Sequence, residues 1–275
     1  MSAVAADHRS TDGNRPVERP GRQMAPDGAE PGNRVVLVVG GTRGIGYAIA
    51  AQLAGPGTLV VITSRDAGRA RAASAELAGQ TGQAVAAAEL DVCDFAATGQ
   101  VIRGLAKEHG RLDVAVLNAG IMVNSPLGGI SGAQVRQTLD TNVSGAIAAL
   151  QAAARIMMRQ RHGAVVLVGS ITGRDGAAGQ VAYAASKAAI AAVTRSAAKE
   201  LGPWGVRVNA VAPGIIDTSL LADVPSKVLS SRVAATPLGR LGTPADVARV
   251  AGFLASADAA FVTGQVVGVD GGLTL

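Results

Sequence analysis

The chain of 275 residues is poor in cysteine, lysine and long apolar runs. Its single cysteine, Cys93, excludes an intramolecular disulfide framework and is compatible with the cytoplasmic location that we expect. Only four of its 25 basic residues are lysines, and the basic residues form no run or helical stripe, so no nucleic-acid partner is expected. No apolar stretch reaches the roughly 18 residues of a membrane span, and the N-terminus lacks the apolar core of a secretory signal.

Aromatic residues are equally scarce, at three Phe, two Tyr and one Trp, although 48% of the chain is hydrophobic. The core must therefore be built from Ala, Val, Leu and Ile, and the length fits one large α/β domain. The net charge of +5 is spread over the sequence and would help to capture a phosphorylated cofactor. Three scattered histidines, His8, His109 and His162, show no metal-ligand spacing, so no metal site is expected.

Two regions of different composition divide the chain. Residues 1–33 are rich in Pro, Gly, Asp and Arg, which predicts a disordered tail, with a docking or regulatory role as the alternative. In residues 34–275, short apolar runs alternate with helical patterns and no linker interrupts them. This alternation predicts a single, doubly wound α/β domain, in which helices cover both faces of a parallel sheet.

The element boundaries follow from hydrophobic periodicity and from glycine and proline positions. The predicted strands are 35–39, 59–63, 84–90, 114–117, 164–168, 206–211 and 266–269. The predicted helices are 45–53, 67–78, 95–108, one long helix at 132–160, 181–201 and 243–255. Residues 217–236 form a loop or short helix, whose Leu220, Leu221, Val224 and Leu229 either line a substrate site or pack the helix.

A glycine-rich segment joins the first predicted strand to the first helix. Its G-x-x-x-G-x-G spacing allows a tight turn and a close approach of backbone to a pyrophosphate, and the helix N-terminus adds free N–H groups. A turn that binds nothing is the alternative, which the flanking strand and helix disfavour. The segment's predicted cofactor-binding residues are Gly40, Thr42, Arg43, Gly44, Ile45 and Gly46.

The end of the second predicted strand carries no acidic residue that would accept hydrogen bonds from a ribose 2′-OH. It carries Ser64 and Arg65 instead, and Asp66 is expected to point away. Guanidinium groups suit phosphate, so Arg43, Arg65 and Ser64 predict a site for a 2′-phosphate and hence NADP(H) rather than NAD(H). The alternative is that both arginines are ordinary surface charges.

Four polar residues predict acid–base chemistry at the sheet edge. Tyr183 and Lys187 stand four apart on one helix face, where an ammonium is expected to lower the phenol pKa. Ser170 ends a strand thirteen residues before Tyr183 and is expected to bind a substrate oxygen. Asn142, inside the long predicted helix, needs partners if it is buried, and a water chain to Lys187 would supply them.

These residues belong to a longer series of motifs. In chain order they are VVGGTRGIG, LDVCD, LNAGI, LDTNVSGA, VGS, YAASK, APGIIDT, PLGRLGTPADVARV and VTGQVVGVDGG. With them, residues 34–275 resemble the short-chain dehydrogenase/reductase family, most closely its 3-oxoacyl-carrier-protein-reductase-like branch. The resemblance implies a seven-stranded parallel Rossmann-type sheet of order 3-2-1-4-5-6-7, direct hydride transfer without a metal, and a homo-oligomer, either tetramer or dimer.

The resemblance also implies residue roles. Tyr183 is the expected general acid, Lys187 its partner and a ligand of the nicotinamide ribose, Ser170 the group that orients the carbonyl, and Asn142 a support of the proton relay. The remaining implied cofactor contacts are Asp91, Val92, Asn118, Ala119, Gly120, Pro213, Gly214, Ile216 and Thr218. Two positions depart from the family pattern: Val39 replaces a usual Thr, and Leu117 replaces a usual Asn.

The sequence as a whole predicts an NADP(H)-dependent ketoreductase acting on a small-molecule carbonyl or secondary alcohol. A non-catalytic nucleotide-binding or regulatory protein on the same fold is the alternative, because fold alone does not fix function. The presence of both Tyr183 and Lys187 argues against that alternative, and a purely structural role has no positive support.

Overall fold

A computed structural model of the chain describes residues 34–221 and 226–275, so the predicted tail lies outside the described residues. Its sheet has seven parallel strands in the order β3-β2-β1-β4-β5-β6-β7, which confirms the predicted fold class and strand order. The strands are β1 (Arg34–Val39), β2 (Thr58–Ser64), β3 (Val85–Glu89), β4 (Val114–Leu117), β5 (Gly163–Val168), β6 (Val206–Pro213) and β7 (Val266–Val269).

Helices connect the strands. They are α1 (Gly44–Leu53), α2 (Ala67–Thr81), α3 (Phe95–His109), α4 (Gly132–Leu139), α5 (Gly145–Gln160), α6 (Thr172–Asp175), α7 (Val181–Leu201), α8 (Ser226–Ala234) and α9 (Pro244–Ala255). Asp66 and Asp94 cap α2 and α3 by accepting hydrogen bonds from backbone N–H groups of the first turn. Ser131 and Thr243 form capping boxes at α4 and α9.

The core has two layers, one on each face of the sheet. Successive strand side chains point to opposite faces, so the apolar run of β1 serves both layers. Val35 and Leu37 pack with α3, α5 and α7, whereas Val36 and Val38 pack with α1, α2 and α9. Burial on both faces explains why this strand is apolar at consecutive positions, with Val36 and Val38 fully buried.

The long helix predicted at 132–160 is two helices joined by a π-helical turn, Asp140–Ser144. This wider turn contains one residue more than an α-helical turn and turns Asn142 into the protein, where it is 1% exposed. Helix α8 is a short helix within residues 217–236, one of the two alternatives predicted there, and α6 lies where no element was predicted. The other predicted elements are present, with ends that differ by a few residues.

Candidate active site

Two adjoining cavities open at the carboxyl edge of the sheet, where the loops after β1, β4, β5 and β6 meet. The glycine-loop cavity, of about 240 Å³, lies between the β1–α1 loop and the end of β2. The tyrosine cavity, of about 310 Å³, lies between the ends of β5 and β6 and helix α7. Both cavities have Ile45, Asn118, Gly120, Ile121 and Thr218 in their walls. The two cavities therefore adjoin along these shared residues.

Glycine is required at three points of the β1–α1 loop. Gly40 and Gly44 have φ angles of +78° and +54°, a region that favours glycine. A Cβ on Gly46 would overlap the Gly40 carbonyl oxygen and lie 2.5 Å from Nδ2 of Asn118. That amide donates a 2.7 Å hydrogen bond to the same carbonyl, so the loop is held against the end of β4.

The N-terminus of α1 borders the glycine-loop cavity without a side-chain cap. The capped N-termini of α2, α3, α4 and α9 differ in this respect. The first N–H groups of a helix have no partner within the helix, and they carry the positive end of its dipole. This end of α1 is therefore suited to an anion such as a pyrophosphate.

Most of the predicted cofactor residues line one of these cavities. Those on the glycine-loop cavity are Gly40, Thr42, Arg43, Gly44, Ile45, Ser64, Arg65, Val92, Asn118, Ala119, Gly120 and Thr218, and those on the tyrosine cavity alone are Tyr183, Lys187, Pro213, Gly214 and Ile216. Gly46 is buried behind the loop. Asp91 lies on neither wall, because its carboxylate instead accepts a 3.0 Å hydrogen bond from the Cys93 N–H.

The outer end of the glycine-loop cavity is positively charged. Arg43 and Arg65 line it as expected, together with Arg69, which the sequence reasoning missed. Arg69 stands in the first turn of α2, four residues after Arg65, and this spacing is the signal that might have identified it. No Asp or Glu is among the described residues of the wall, and the Asp66 carboxylate caps α2 through the Arg69 N–H at 3.0 Å.

The tyrosine cavity brings Ser170, Tyr183 and Lys187 together on one wall. Ser170 follows β5, whereas Tyr183 and Lys187 lie in the first two turns of α7. Burial lowers the pKa of Lys187 to about 8, and its Nζ donates a 2.9 Å hydrogen bond to the Val168 carbonyl. The same Nζ lies 5.6 Å from the centroid of the Tyr183 ring.

The pKa of Tyr183 moves in the direction opposite to the expected one. Burial raises it above its usual value, and a hydrogen bond with Ser170 opposes that rise. The sequence suggested that Lys187 would lower the phenol pKa, but the loss of hydration of a buried phenolate outweighs other influences here. Tyr183 therefore holds its proton at neutral pH, which suits a proton donor.

Asn142 acts behind the cavity wall. Its Nδ2 donates hydrogen bonds to the Ile121 carbonyl at 2.8 Å and to Ser186 Oγ at 3.0 Å, and its Oδ1 accepts one from the Ile121 N–H at 2.8 Å. Protein groups thus accept from both side-chain donors of Asn142, and the water chain to Lys187 stays a prediction. Asn142 joins the loop after β4 to α7, the helix that carries Tyr183.

The two departures from the family pattern lie at the ends of β1 and β4. Val39 lines the glycine-loop cavity, and Leu117 is buried at 5% exposure. The hydroxyl of Thr63, on the neighbouring strand β2, accepts a 3.3 Å hydrogen bond from the Gly40 N–H. The β1–α1 loop, which begins directly after Val39, thus donates a hydrogen bond to a side chain of strand β2.

The far wall of the tyrosine cavity contains residues to which the sequence reasoning gave no role. They are Met122, Asn124, Ala177, Gln180, Ile215, Arg232 and Leu275. The Gln180 side chain donates a 2.9 Å hydrogen bond to Asn124 Oδ1. Leu221 and Leu229 line this wall too, whereas Val224 and the side chain of Leu220 lie outside the described part of the chain.

Neither a membrane helix nor a metal cluster is found in the described residues. No helix within 34–221 and 226–275 has the length and apolar character needed to cross a bilayer. In the same residues, no three His, Cys, Asp or Glu side chains are grouped so that they could hold a metal ion.

Known proteins match this chain over almost all of its described part. The family model described as "Enoyl-(Acyl carrier protein) reductase" matches residues 39–274. The 3-oxoacyl-[acyl-carrier-protein] reductase FabG of Chlamydia muridarum is 37% identical over 241 residues, 88% of this chain and 97% of the relative. The reductase MabA of Mycobacterium bovis is 36% identical over 251 residues, 90% of this chain and 97% of the relative.

Solved structures agree with the sequence matches. The 3-oxoacyl-[acyl-carrier protein] reductase from Brucella melitensis has a TM-score of 0.83 at 34% identity, covering 89% of this chain and 92% of its own. A short-chain type dehydrogenase/reductase from Mycobacterium ulcerans has a TM-score of 0.84 at 36% identity, covering 88% and 90%. With this fold, these motifs and these relatives, the chain belongs to the short-chain dehydrogenase/reductase family of oxidoreductases.

Proposed function

We propose that the chain is an NADP(H)-dependent ketoreductase, which transfers hydride between the nicotinamide and a small-molecule carbonyl or secondary alcohol. The shared wall of the two cavities is the observation that carries this proposal. One cavity has the glycine loop and the uncapped helix N-terminus, and the other has Ser170, Tyr183 and Lys187. The glycine-loop cavity would hold the adenosine half and the pyrophosphate of a dinucleotide, and the tyrosine cavity would hold its nicotinamide end.

The residues present fit such a cofactor. Gly40 and Gly44 give the loop a conformation that favours glycine, and a Cβ at Gly46 would displace the Gly40 carbonyl behind it. The first N–H groups of α1 are open to an anion without competition from a side-chain cap. Arg43, Arg65 and Arg69 supply the positive charge that a 2′-phosphate requires, and Ser64 supplies a hydroxyl donor. NADPH contributes the hydride when it is bound, and NAD(H) is the less favoured cofactor because it lacks the 2′-phosphate.

Tyr183 and Ser170 supply the proton chemistry in this proposal. Burial keeps the Tyr183 phenol protonated at neutral pH, so it can donate its proton to the carbonyl oxygen as negative charge develops there. The Ser170 hydroxyl, which is hydrogen-bonded to Tyr183 in the structure, turns to donate to the same carbonyl oxygen when the substrate binds and orients it. Lys187, held by the Val168 carbonyl, places a positive charge beside the tyrosine below pH 8 and stabilises the phenolate that the proton transfer leaves.

The relatives named as 3-oxoacyl reductases support a carbonyl as the reacting group. We further propose a homo-oligomer, tetramer or dimer, as the family resemblance implies, and a cytoplasmic location, with which the single cysteine is compatible. The tail at residues 1–33 stays a prediction. A non-catalytic binding protein has less support, since three groups competent for catalysis share one cavity wall.

Loss of NADPH absorbance with a panel of ketones tests the function. Tyr183→Phe should reduce kcat by about 100-fold or more, the usual contribution of a general acid, while NADPH still binds. Tyr47→Phe is a matched control, since Tyr47 is the chain's other tyrosine and its hydroxyl bonds Gln80 on the surface at 3.0 Å. Arg65→Ala should weaken NADPH binding more than NADH binding. Failure to bind either cofactor would refute the proposal.

A further inference from the structure

A second cation, besides Lys187, lies on the wall of the tyrosine cavity. Arg232 contributes to this wall from α8 and is partly buried. The two cations differ in their partners, because Lys187 donates to the Val168 carbonyl beside Tyr183. Lys187 thus has a role in the proposed proton transfer, whereas Arg232 has none.

The charge of Arg232 is not neutralised by the part of the chain that the structure describes. Its guanidinium forms no ion pair there, and no Asp or Glu is among the described residues of the cavity wall. Leu275, the last residue of the chain, also lines this wall, and its carboxylate does not pair with Arg232. Other arginines do bind a carbonyl or a carboxylate: Arg34, Arg111, Arg174, Arg207, Arg240 and Arg249. Arg232 therefore has a cavity, rather than a protein side-chain anion, next to it, as Arg43, Arg65 and Arg69 have in the glycine-loop cavity.

The described side chains that share this wall with Arg232 carry no negative charge. Leu221, Leu229 and Ile215 give the cavity apolar contacts, and the polar pair Asn124 and Gln180 bond each other. A neutral substrate would fill this wall without using the charge. A guanidinium that is partly removed from water gains most from a carboxylate or phosphate, which it binds with two parallel hydrogen bonds.

We propose that the natural substrate carries a carboxylate or phosphate group, distal to its reacting carbonyl, and that Arg232 binds this anion. The inference rests on the proposed ketoreductase function and adds the substrate class to it. In this arrangement Ser170 and Tyr183 bind the carbonyl oxygen, the apolar wall contacts the intervening chain, and Arg232 selects for the charged end. Arg232 is a specificity-determining residue that takes no part in proton transfer.

Matched substrates test the inference. Methyl ketones that end in a carboxylate, in a phosphate monoester or in the methyl ester of the same acid are compared at several chain lengths with NADPH. Arg232→Gln should lower kcat/KM for the anionic ketones by about tenfold or more, mainly through KM, and leave the ester unchanged. Arg232→Lys should restore part of the loss. The anion with the larger loss identifies the natural group.

The control is Arg249→Gln, an exposed arginine that pairs with Asp246 and does not line the cavity. Equal effects of Arg232→Gln on acid and ester, or no effect on either, would overturn the inference and leave the reductase intact. Calorimetric titration of the NADPH-saturated protein with hexanoate and hexanamide tests it without turnover. Hexanoate should bind about tenfold tighter and lose that advantage in Arg232→Gln, whereas equal binding of the two ligands would refute it.

Discussion

The buried ammonium of Lys187 makes the free energy of unfolding depend on pH in a way that one substitution should abolish. Burial lowers its pKa from 10.5 to about 8, which corresponds to a cost of about 3 kcal/mol for holding the charged form at pH 7. Between pH 8 and pH 10.5 the unfolded chain binds this proton more readily than the folded one. The free energy of unfolding contributed by this residue therefore rises with pH across that window and is constant below it.

Urea denaturation from pH 7 to pH 10 measures this contribution. The wild type should gain about 2 kcal/mol relative to Lys187→Met over that range, because methionine fills a similar volume and carries no proton. Lys199→Met is the matched control, since Lys199 is exposed on the same helix and its loss should leave the pH dependence of the wild type intact. Parallel profiles for the wild type and Lys187→Met would refute the reasoning.

Three further substitutions have defined outcomes. Gly46→Ala would place a Cβ against the Gly40 carbonyl oxygen, so NADPH binding measured by calorimetry should be lost; Gly55→Ala, with nothing within 4 Å of its Cβ, should bind normally. Asn142→Ala removes partners from two backbone groups and should cost about 3 kcal/mol in urea denaturation, whereas an unchanged midpoint would contradict its assigned role. Asp246→Ala removes the α9 capping box and should lower the free energy of unfolding by about 1 kcal/mol at neutral pH. Ion pairing and capping hold the pKa of the Asp246 carboxyl below its usual range, so the difference between wild type and variant should shrink in acid, where this carboxyl becomes protonated.

The fold was predictable because its signals are local and repeated. The unbroken apolar run of β1 indicated a strand buried on both faces, and alternating strands and helices indicated a parallel sheet. The strand order came from the family resemblance rather than from periodicity. The π-helical turn could not be predicted, since hydrophobic periodicity in an alanine-rich stretch does not reveal one additional residue.

The site was predictable where a motif fixes the backbone. Gly40, Ser170 and Tyr183 lie in compact motifs beside strand ends, and the structure places all three on the cavity walls. Contacts that depend on tertiary packing could be identified only from the structure. Arg232 reaches the tyrosine cavity from α8, between two of the motifs and part of neither, and the direction of the Tyr183 pKa depends on burial that no single sequence displays.

The wide turn at Asp140–Ser144 makes the length of this segment as important as its composition. Each residue of an α-helix advances the chain by about 100° around the helix axis, so the extra residue sets α4 and α5 out of phase. Helix α4 packs on α7, whereas α5 packs on α3 and the sheet. A one-residue deletion here would turn one helix by more than a quarter of a circle relative to the other. Insertions and deletions should therefore be tolerated much less in these five residues than most substitutions on the exposed side of α5.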